Sequence, residues 1–283
     1  MGLESRSLGG KLRIGITGSA GLIGRSLLRH LASTKGPHEI SKFSGNILDL
    51  PSAEAWSKDF SPTIVFHLAA KVPSRVEESA KAGVLEVNGH APALFASAIA
   101  GVLPPMQVKF VFVSTSHVYS HSPRPISETD QVSPLNFYGQ TKFEGEERLR
   151  LLERQGVIRL AVMRLFSVYS EEQSSEYLYG SLLSKIQMGQ PEQSILLPGW
   201  NNIRDFIHAD EAGRKIGELG LTNFEGLVNV GSGRGLSVKD FAEAQFRVKL
   251  LPSNGDKEAT PTTIVANVAL MNQILKNGSV SEE

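Results

Sequence analysis

The stretch that most restricts the fold lies at the start, between Lys11 and Ala32. Lys11-Leu12-Arg13-Ile14-Gly15-Ile16 predicts a short strand, and it runs directly into Thr17-Gly18-Ser19-Ala20-Gly21-Leu22-Ile23-Gly24. Leu22, Ile23, Leu27, Leu28 and Leu31 then recur at helical spacing. A strand that turns through glycines into a helix aims backbone N–H groups and the positive end of a helix dipole at one point, where a pyrophosphate can sit. The glycines fall at 18, 21 and 24, whereas the commoner fingerprint places its first two glycines only two apart. A glycine-rich turn without a ligand is the competing reading, and the strand–helix context weighs against it.

The same alternation repeats along the chain. His38 to Phe43 predicts a second strand, and Thr63-Ile64-Val65-Phe66-His67-Leu68-Ala69-Ala70 a third, its continuous apolar run typical of a parallel strand covered on both faces. Residues 77–101 read as a helix with Asn88 inside it, placed to bond either the backbone or the active site. Lys109 to Val113 predicts a fourth strand, Pro134 to Gln155 a helix capped by Ser133 and stopped by Gly156, and Val157 to Phe166 a fifth strand. Glu144–Arg148 and Glu146–Arg150 read as i,i+4 pairs in the favourable orientation on that helix. The expectation is an α/β protein, a doubly wound parallel sheet with ligands at the carboxyl ends of its strands. After Phe166 the apolar runs shorten, which predicts a smaller cap from 167–204 and 233–283, with about 205–232 returning to the main domain and 1–10 forming a disordered leader.

Composition removes several classes of function. Lys+Arg and Asp+Glu both total 29 in 283 residues, giving no electrostatic case for a nucleic-acid or membrane partner. With zero cysteines, disulfides, thiolate catalysis and Cys-ligated zinc are excluded, and no metal site is expected. No apolar run reaches the roughly 18 residues of a spanning helix, and no secretory signal is read, so a cytoplasmic location is expected.

The chemistry gathers around residues 110–150. The fourth strand breaks into Ser114-Thr115-Ser116, and the next helix holds Tyr138 and Lys142, four residues apart and hence on one face. An ammonium beside a phenol favours the phenolate and would let Tyr138 pass a proton near neutral pH. A Tyr/Lys pair on a solvated helix face is the bland alternative. His67, inside a strand, reads as a core histidine. Past the second strand, an NAD site wants an acid about 20 residues beyond the glycines; Lys42 and Ser44 occupy that neighbourhood and Arg25 follows the last glycine. Basic and hydroxyl groups lean towards the 2′-phosphate of NADP over NAD, although Lys42 and Arg25 are equally readable as ordinary surface charges.

Taken together, TGSAGLIG (17–24), HLAA (67–70), STSHVY (114–119), the Tyr138/Lys142 pair, RLFSVY (164–169), RDFIH (204–208) and NVGS (229–232) resemble the extended short-chain dehydrogenase/reductase family, especially its nucleotide-sugar members. The resemblance implies a Rossmann-type NAD(P)-binding domain and a catalytic trio of Thr115, Tyr138 and Lys142. Tyr138 would be the acid/base, Lys142 would lower its pKa and hold the nicotinamide ribose, and Thr115 would bond the reacting oxygen. It also implies a cofactor lining of Gly18, Ala20, Gly21, Leu22, Ile23, Gly24, Lys42, Asn46, Leu68, Ala69, Ala70, Val113 and Phe166. Substrate contacts would come from Lys71, Ser116, His117, Ser167 and Arg204, the last on a phosphate of the sugar nucleotide. A homodimer built on helices 77–101 or 134–155 is a further expectation.

Within that resemblance, 4,6-dehydratases carry an acid pair directly after the catalytic Thr. Ser116 and His117 stand there, which disfavours dehydration. Epimerases and 4-ketoreductases stay open. The short segment between strands two and three, and the run from Glu128 to Glu146, resemble the dTDP-4-dehydrorhamnose reductase group. The Arg204 and Asn229 motifs resemble epimerases, and Ser167 stands where many members have Asn. Members that keep the fold but act as regulatory subunits usually lose the tyrosine or lysine, and both are present here.

Overall fold

A computed structural model describes residues 11–34, 36–72, 77–188, 199–247 and 260–278. The expected leader at 1–10 and parts of the expected cap (189–198, 248–259, 279–283) lie outside the described residues. Ten strands and nine α-helices are seen among the described residues. Those of the main sheet are β1 (Leu12–Thr17), β2 (His38–Phe43), β3 (Ile64–His67), β4 (Lys109–Thr115), β5 (Arg159–Leu165) and β8 (Gly226–Val230), all parallel and in the order β2-β1-β3-β4-β5-β8. The chain leaves β1 for β2 on one side and returns to β3 on the other, so the strand order reverses between β1 and β3. In open α/β sheets that reversal opens the crevice where ligands bind.

Both faces of the sheet are covered, which explains the continuous apolar runs of its strands. Ile14, Ile16, Phe66, Val111, Met163 and Val230 point to one face and pack with Leu27 and Leu31 of α1 (Leu22–Ser33), Ile216 and Leu219 of α7 (Ala209–Leu221) and Met271 of α9 (Ala269–Gly278). Val65, Phe110, Phe112, Leu160 and Val162 point the other way. They meet Ala53 of α2 (Leu50–Phe60), Phe95 and Ile99 of α4 (Ala91–Gly101) and Leu149 of α5 (Phe137–Arg154). The alternation along each strand is the two-residue period of the pleat, with an apolar group on each side.

A second sheet holds β6 (Ser167–Tyr169), β7 (Ile203–His208) and β10 (Thr263–Ile264), with β9 (Gly235–Ser237) antiparallel to β7. Helices α6 (Leu178–Gln187) and α8 (Val238–Phe246) pack together beside it. Of the 205–232 segment, α7 and β8 belong to the main layers, while most of β7 builds the smaller sheet. Asp205 knits the two together. Its carboxylate accepts from the N–H of Ser232 (2.7 Å), Gly233 (2.9 Å) and Ala266 (3.1 Å) and from the Ser232 hydroxyl (2.6 Å). Asn229 likewise binds the Ile126 carbonyl (2.9 Å) and accepts from the buried Tyr119 hydroxyl (2.8 Å). Motifs that read as epimerase-like therefore serve here as ties between layers.

Three local expectations change. The helix expected from Pro134 begins at Phe137, because Asn136, not Ser133, is its cap: Asn136 Oδ1 accepts from Gly139 N at 2.8 Å. The helix expected over 77–101 is a composite. A 3₁₀ turn (Glu78–Ala80) leads into α3 (Lys81–Leu85), a π turn (Glu86–His90) and then α4. Glu146 is fully buried, and Arg150 at 3.3 Å is its lesser partner.

Candidate active site

The glycine turn has the shape that a pyrophosphate requires. Gly18 adopts φ +68°, and a Cβ there would stand 2.5 Å from Ala69 N, so β1 and the end of β3 approach as only glycine allows. In the same turn, a Cβ on Gly24 would lie 2.3 Å from Gly18 O. Helix α1 starts at Leu22 with Gly21 as N-cap; no side chain caps it and no acid lies in its first turn. Its first N–H groups are thus available to an anion. Ala20, Leu22 and Ile23 line this turn, with Ala20 exposed and Leu22 and Ile23 half-buried. Thr17 braces the opposite wall: its Oγ1 accepts from Ala69 N (3.3 Å) and meets His67 Nδ1 (3.1 Å). These residues fit a dinucleotide.

The wall formed by Leu68, Ala69 and Ala70 is held from behind by Asn88. Its Oδ1 accepts from Lys71 N and its Nδ2 donates to Lys71 O, both at 2.8 Å, while Nδ2 also reaches Thr141 Oγ1 (3.3 Å). Of the two partners that the sequence allows it, Asn88 takes the backbone, from a fully buried position in the π turn. His67 is a core histidine, ringed by Phe95, Phe110 and Phe112 and driven down to about 3, first by burial and then by Lys142. It is neutral at any physiological pH.

At the end of β2, Lys42 is exposed, and Ser44, Gly45 and Asn46 follow it with no acid among them. Asn46 closes its own turn, Oδ1 accepting from Leu48 N (3.1 Å). Arg25 is drawn elsewhere: Nε and Nη2 both donate to Glu172 Oε2 (3.0 and 2.7 Å).

Thr115 ends β4, and its Oγ1 accepts from His117 N at 3.3 Å in the 3₁₀ turn Ser116–Val118. With a main-chain donor on its oxygen, the hydroxyl proton is free to point at a ligand. Ser116 is buried in that turn. The turn is locked to α5: His117 O accepts from Leu135 N (3.0 Å), and Gly139 comes so close that a Cβ would sit 2.3 Å from His117 O. This approach brings Tyr138 beside the end of β4, its ring edge-to-face with His117 at 6.0 Å and 89°. Lys142 follows one turn on, buried, with Nζ 3.9 Å from the Phe112 ring centre. Val113 is half-buried on β4.

The electrostatics differ from the expected phenolate pair. Burial is the main effect at both groups. It pushes the Tyr138 phenol up, with Tyr177 adding to the shift, and it drives Lys142 down to about 7 against the pull of Glu146. Neither residue's titration is set by the other. Tyr138 is held as a neutral acid.

The remaining expected contacts lie on other elements. Phe166 is buried with Val118, Tyr119, Ile126 and Ile264, so its ring is part of the core beneath the small sheet. Arg204 is half-buried and engaged: Nη1 donates to Ile203 O (2.8 Å) and Thr262 O (2.7 Å), and Nη2 to Thr262 Oγ1 (2.9 Å). Lys71 extends towards α3, where a Cβ on Gly83 would lie 3.3 Å from its Nζ. Ser167 is half-buried in β6, paired with Phe206. The sequence reading missed three features that shape the site: Asn136, Tyr177, whose hydroxyl donates to Val72 O, and the Glu146–Arg164 pair. A lone arginine in the apolar run of β5 was the available signal for the last.

Comparison with known proteins identifies the family. A family model described as the NAD dependent epimerase/dehydratase family matches residues 14–216. The chain is 33% identical over 146 residues to a protein named dTDP-4-keto-6-deoxy-D-glucose reductase from Streptomyces niveus, covering 50% of this chain and 49% of that one. It is 30% identical over 181 residues to methionine adenosyltransferase 2 subunit beta from Xenopus tropicalis, covering 61% and 52%. The chain thus matches about half the length of these curated relatives. Among solved structures, RMD from Pseudomonas aeruginosa complexed with NADPH superposes with a TM-score of 0.79 at 19% identity, covering 94% of this chain and 91% of that one. At that identity the likeness speaks for the fold alone. Among the described residues no helix is long and apolar enough to cross a membrane. With the family model covering most of the chain, the chain belongs to the NAD dependent epimerase/dehydratase family.

Proposed function

We propose that this protein is an NAD(P)-dependent oxidoreductase that reduces a 4-keto-6-deoxy nucleotide sugar. One observation carries the reading: the close approach of Gly139 to His117 O sets Tyr138, one turn before Lys142, beside the turn that follows Thr115 at the end of β4, in a sheet whose β1 leads into an uncapped helix N-terminus. Gly18, Gly21 and Gly24, with the first N–H groups of α1, would hold the pyrophosphate, and Lys142 would hold the nicotinamide ribose. When bound, the nicotinamide supplies the hydride that C4 of the sugar receives. Thr115 donates its hydroxyl proton as a hydrogen bond to the ketone oxygen, stabilising the charge that grows there. Tyr138 gives its proton to that oxygen, completing a secondary alcohol, and regains one from solvent. A phenol kept protonated by burial is suited to this direction.

The lean to NADP rests on exposed Lys42 and the acid-free Ser44–Asn46 turn, now without Arg25. A homodimer is proposed through the outer faces of α4 and α5, where Leu94 and Leu151 are about half exposed (50% and 49%). A monomeric mass in light scattering would remove it.

Incubation with NADPH and dTDP-4-keto-6-deoxyglucose tests the reading. Stoichiometric NADPH oxidation, reduced about a hundredfold or more in Tyr138→Phe, is expected. Turnover of a nucleotide sugar without net cofactor change would mean an epimerase instead, the reading favoured by a 30% identical relative over 135 residues named putative UDP-glucose 4-epimerase, from Methanocaldococcus jannaschii. A regulatory-subunit role, favoured by the likeness to methionine adenosyltransferase 2 subunit beta, predicts that Tyr138→Phe changes nothing.

A further inference from the structure

His117 sits at the site with one nitrogen fully specified by its surroundings. Asn136 caps α5, so its Oδ1 must face the Gly139 N–H at 2.8 Å, because only the oxygen can accept that bond. The amide's orientation is therefore set by chemistry, and its Nδ2, which can only donate, faces His117 Nδ1 at 3.2 Å. Nδ1 must accept. The proton of the neutral ring is then on Nε2, which makes no hydrogen bond among the described residues. Holding Nδ1 as an acceptor also opposes protonation, and burial, followed by the Arg204 charge on β7, holds the imidazolium down further. The ring stands edge-to-face against Tyr138, and its own main-chain N–H holds Thr115 Oγ1.

We propose that His117 is a permanent, uncharged Nε2–H donor that binds an oxygen of the substrate sugar close to the reacting carbon, and that Asn136 is the positioning residue that fixes its tautomer. The proposal rests on the reading of the site as a nucleotide-sugar oxidoreductase. At the position that lacks the dehydratase acid, His117 orients a sugar oxygen and transfers no proton. A hydroxyl or carbonyl oxygen can accept from it, whereas an ammonium substituent cannot, so it selects oxygen-bearing sugars over amino sugars at that position.

The test uses three variants of the full chain with NADPH and dTDP-4-keto-6-deoxyglucose, with NADPH binding followed separately by fluorescence. His117→Phe keeps the ring contact with Tyr138 and removes the donor. It is expected to raise KM for the sugar about tenfold while leaving NADPH binding unchanged. His117→Gln, whose side-chain amide offers a donor at similar reach to Nε2, is expected to recover most of that loss. Asn136→Asp keeps the helix cap with one oxygen and presents the other to Nδ1, which draws the proton there and turns Nε2 into an acceptor unless the ring is charged. Tyr138 of α5 and Arg204 of β7 are the other titratable groups facing His117, and both are the same in this variant. Sugar binding by Asn136→Asp, taken relative to wild type at each pH, is therefore expected to weaken as pH rises through the imidazolium range. Wild-type KM in His117→Phe, no recovery in His117→Gln, or a flat relative profile in Asn136→Asp would each overturn the proposal while leaving the oxidoreductase reading intact. Wild-type protein that binds NADPH yet turns over no nucleotide sugar would overturn that reading and this proposal together.

Discussion

Glu146 and Arg164 form a two-point ion pair with both side chains out of solvent's reach: Nε to Oε1 at 3.0 Å and Nη2 to Oε2 at 2.6 Å. The pair joins α5 to β5 one helical turn beyond Lys142, and Ser114 of β4 donates to the same carboxylate at 2.5 Å. The helix that carries Tyr138 and Lys142 is thus bolted to two strands by one acid. Removing one partner strands a buried charge, so Glu146→Gln is expected to cost about 3 kcal/mol. Replacing both partners by apolar groups, Glu146→Leu with Arg164→Met, should recover much of it. Urea denaturation of the single and double variants checks both statements.

Thr115→Val keeps the volume and removes the hydroxyl proposed to bond the reacting oxygen. A fall in kcat of about a hundredfold is expected, with NADPH binding unchanged. Steady-state kinetics beside a cofactor titration separates the two effects.

Lys42→Glu puts an acid at the end of β2, where a ribose hydroxyl is favoured and a phosphate repelled. The ratio of NADPH to NADH affinity is expected to fall by about tenfold or more. Competitive binding of the two cofactors measures it.

His67 carries a pH dependence whose sign is fixed. Its pKa falls from 6.5 to about 3 in the folded protein, so between those values the unfolded chain binds a proton that the folded chain does not. Stability from this residue is complete above about pH 6.5 and is lost as pH falls towards 3, about 5 kcal/mol in all. His67→Phe, entering a ring of three phenylalanines, should flatten that part of the stability profile. Denaturation at pH 4 and pH 7 compares the two proteins.

Much of the frame was legible because its signals are local. The glycine turn, the apolar strands β1 to β5 and the Tyr138/Lys142 spacing each declare themselves within a few residues. What escaped depends on partners far along the chain. Ser133-Pro134 is the stronger helix start by local preference, yet the contacts of Leu135 and Gly139 with His117 O move the start to Phe137. Glu146 looks like one half of an i,i+4 pair with Arg150 until β5 brings Arg164 to it. The titration of Tyr138 and Lys142 was misjudged for the same reason: their spacing is in the sequence, but the burial that overrides their mutual effect is made by the folded chain around them, with Tyr177 adding to the shift at Tyr138.

The Asn88 amide grips the N–H and the C=O of Lys71 together, as the backbone of an adjacent strand would. A helix side chain thereby extends the sheet by one pairing past the end of β3. The cofactor wall at Ala69 and Ala70 is anchored on both sides, by Thr17 before it and Asn88 behind it. Strain arriving from beyond Lys71 is stopped at this pairing, so the wall that faces the glycine turn keeps its place whatever follows it in the chain.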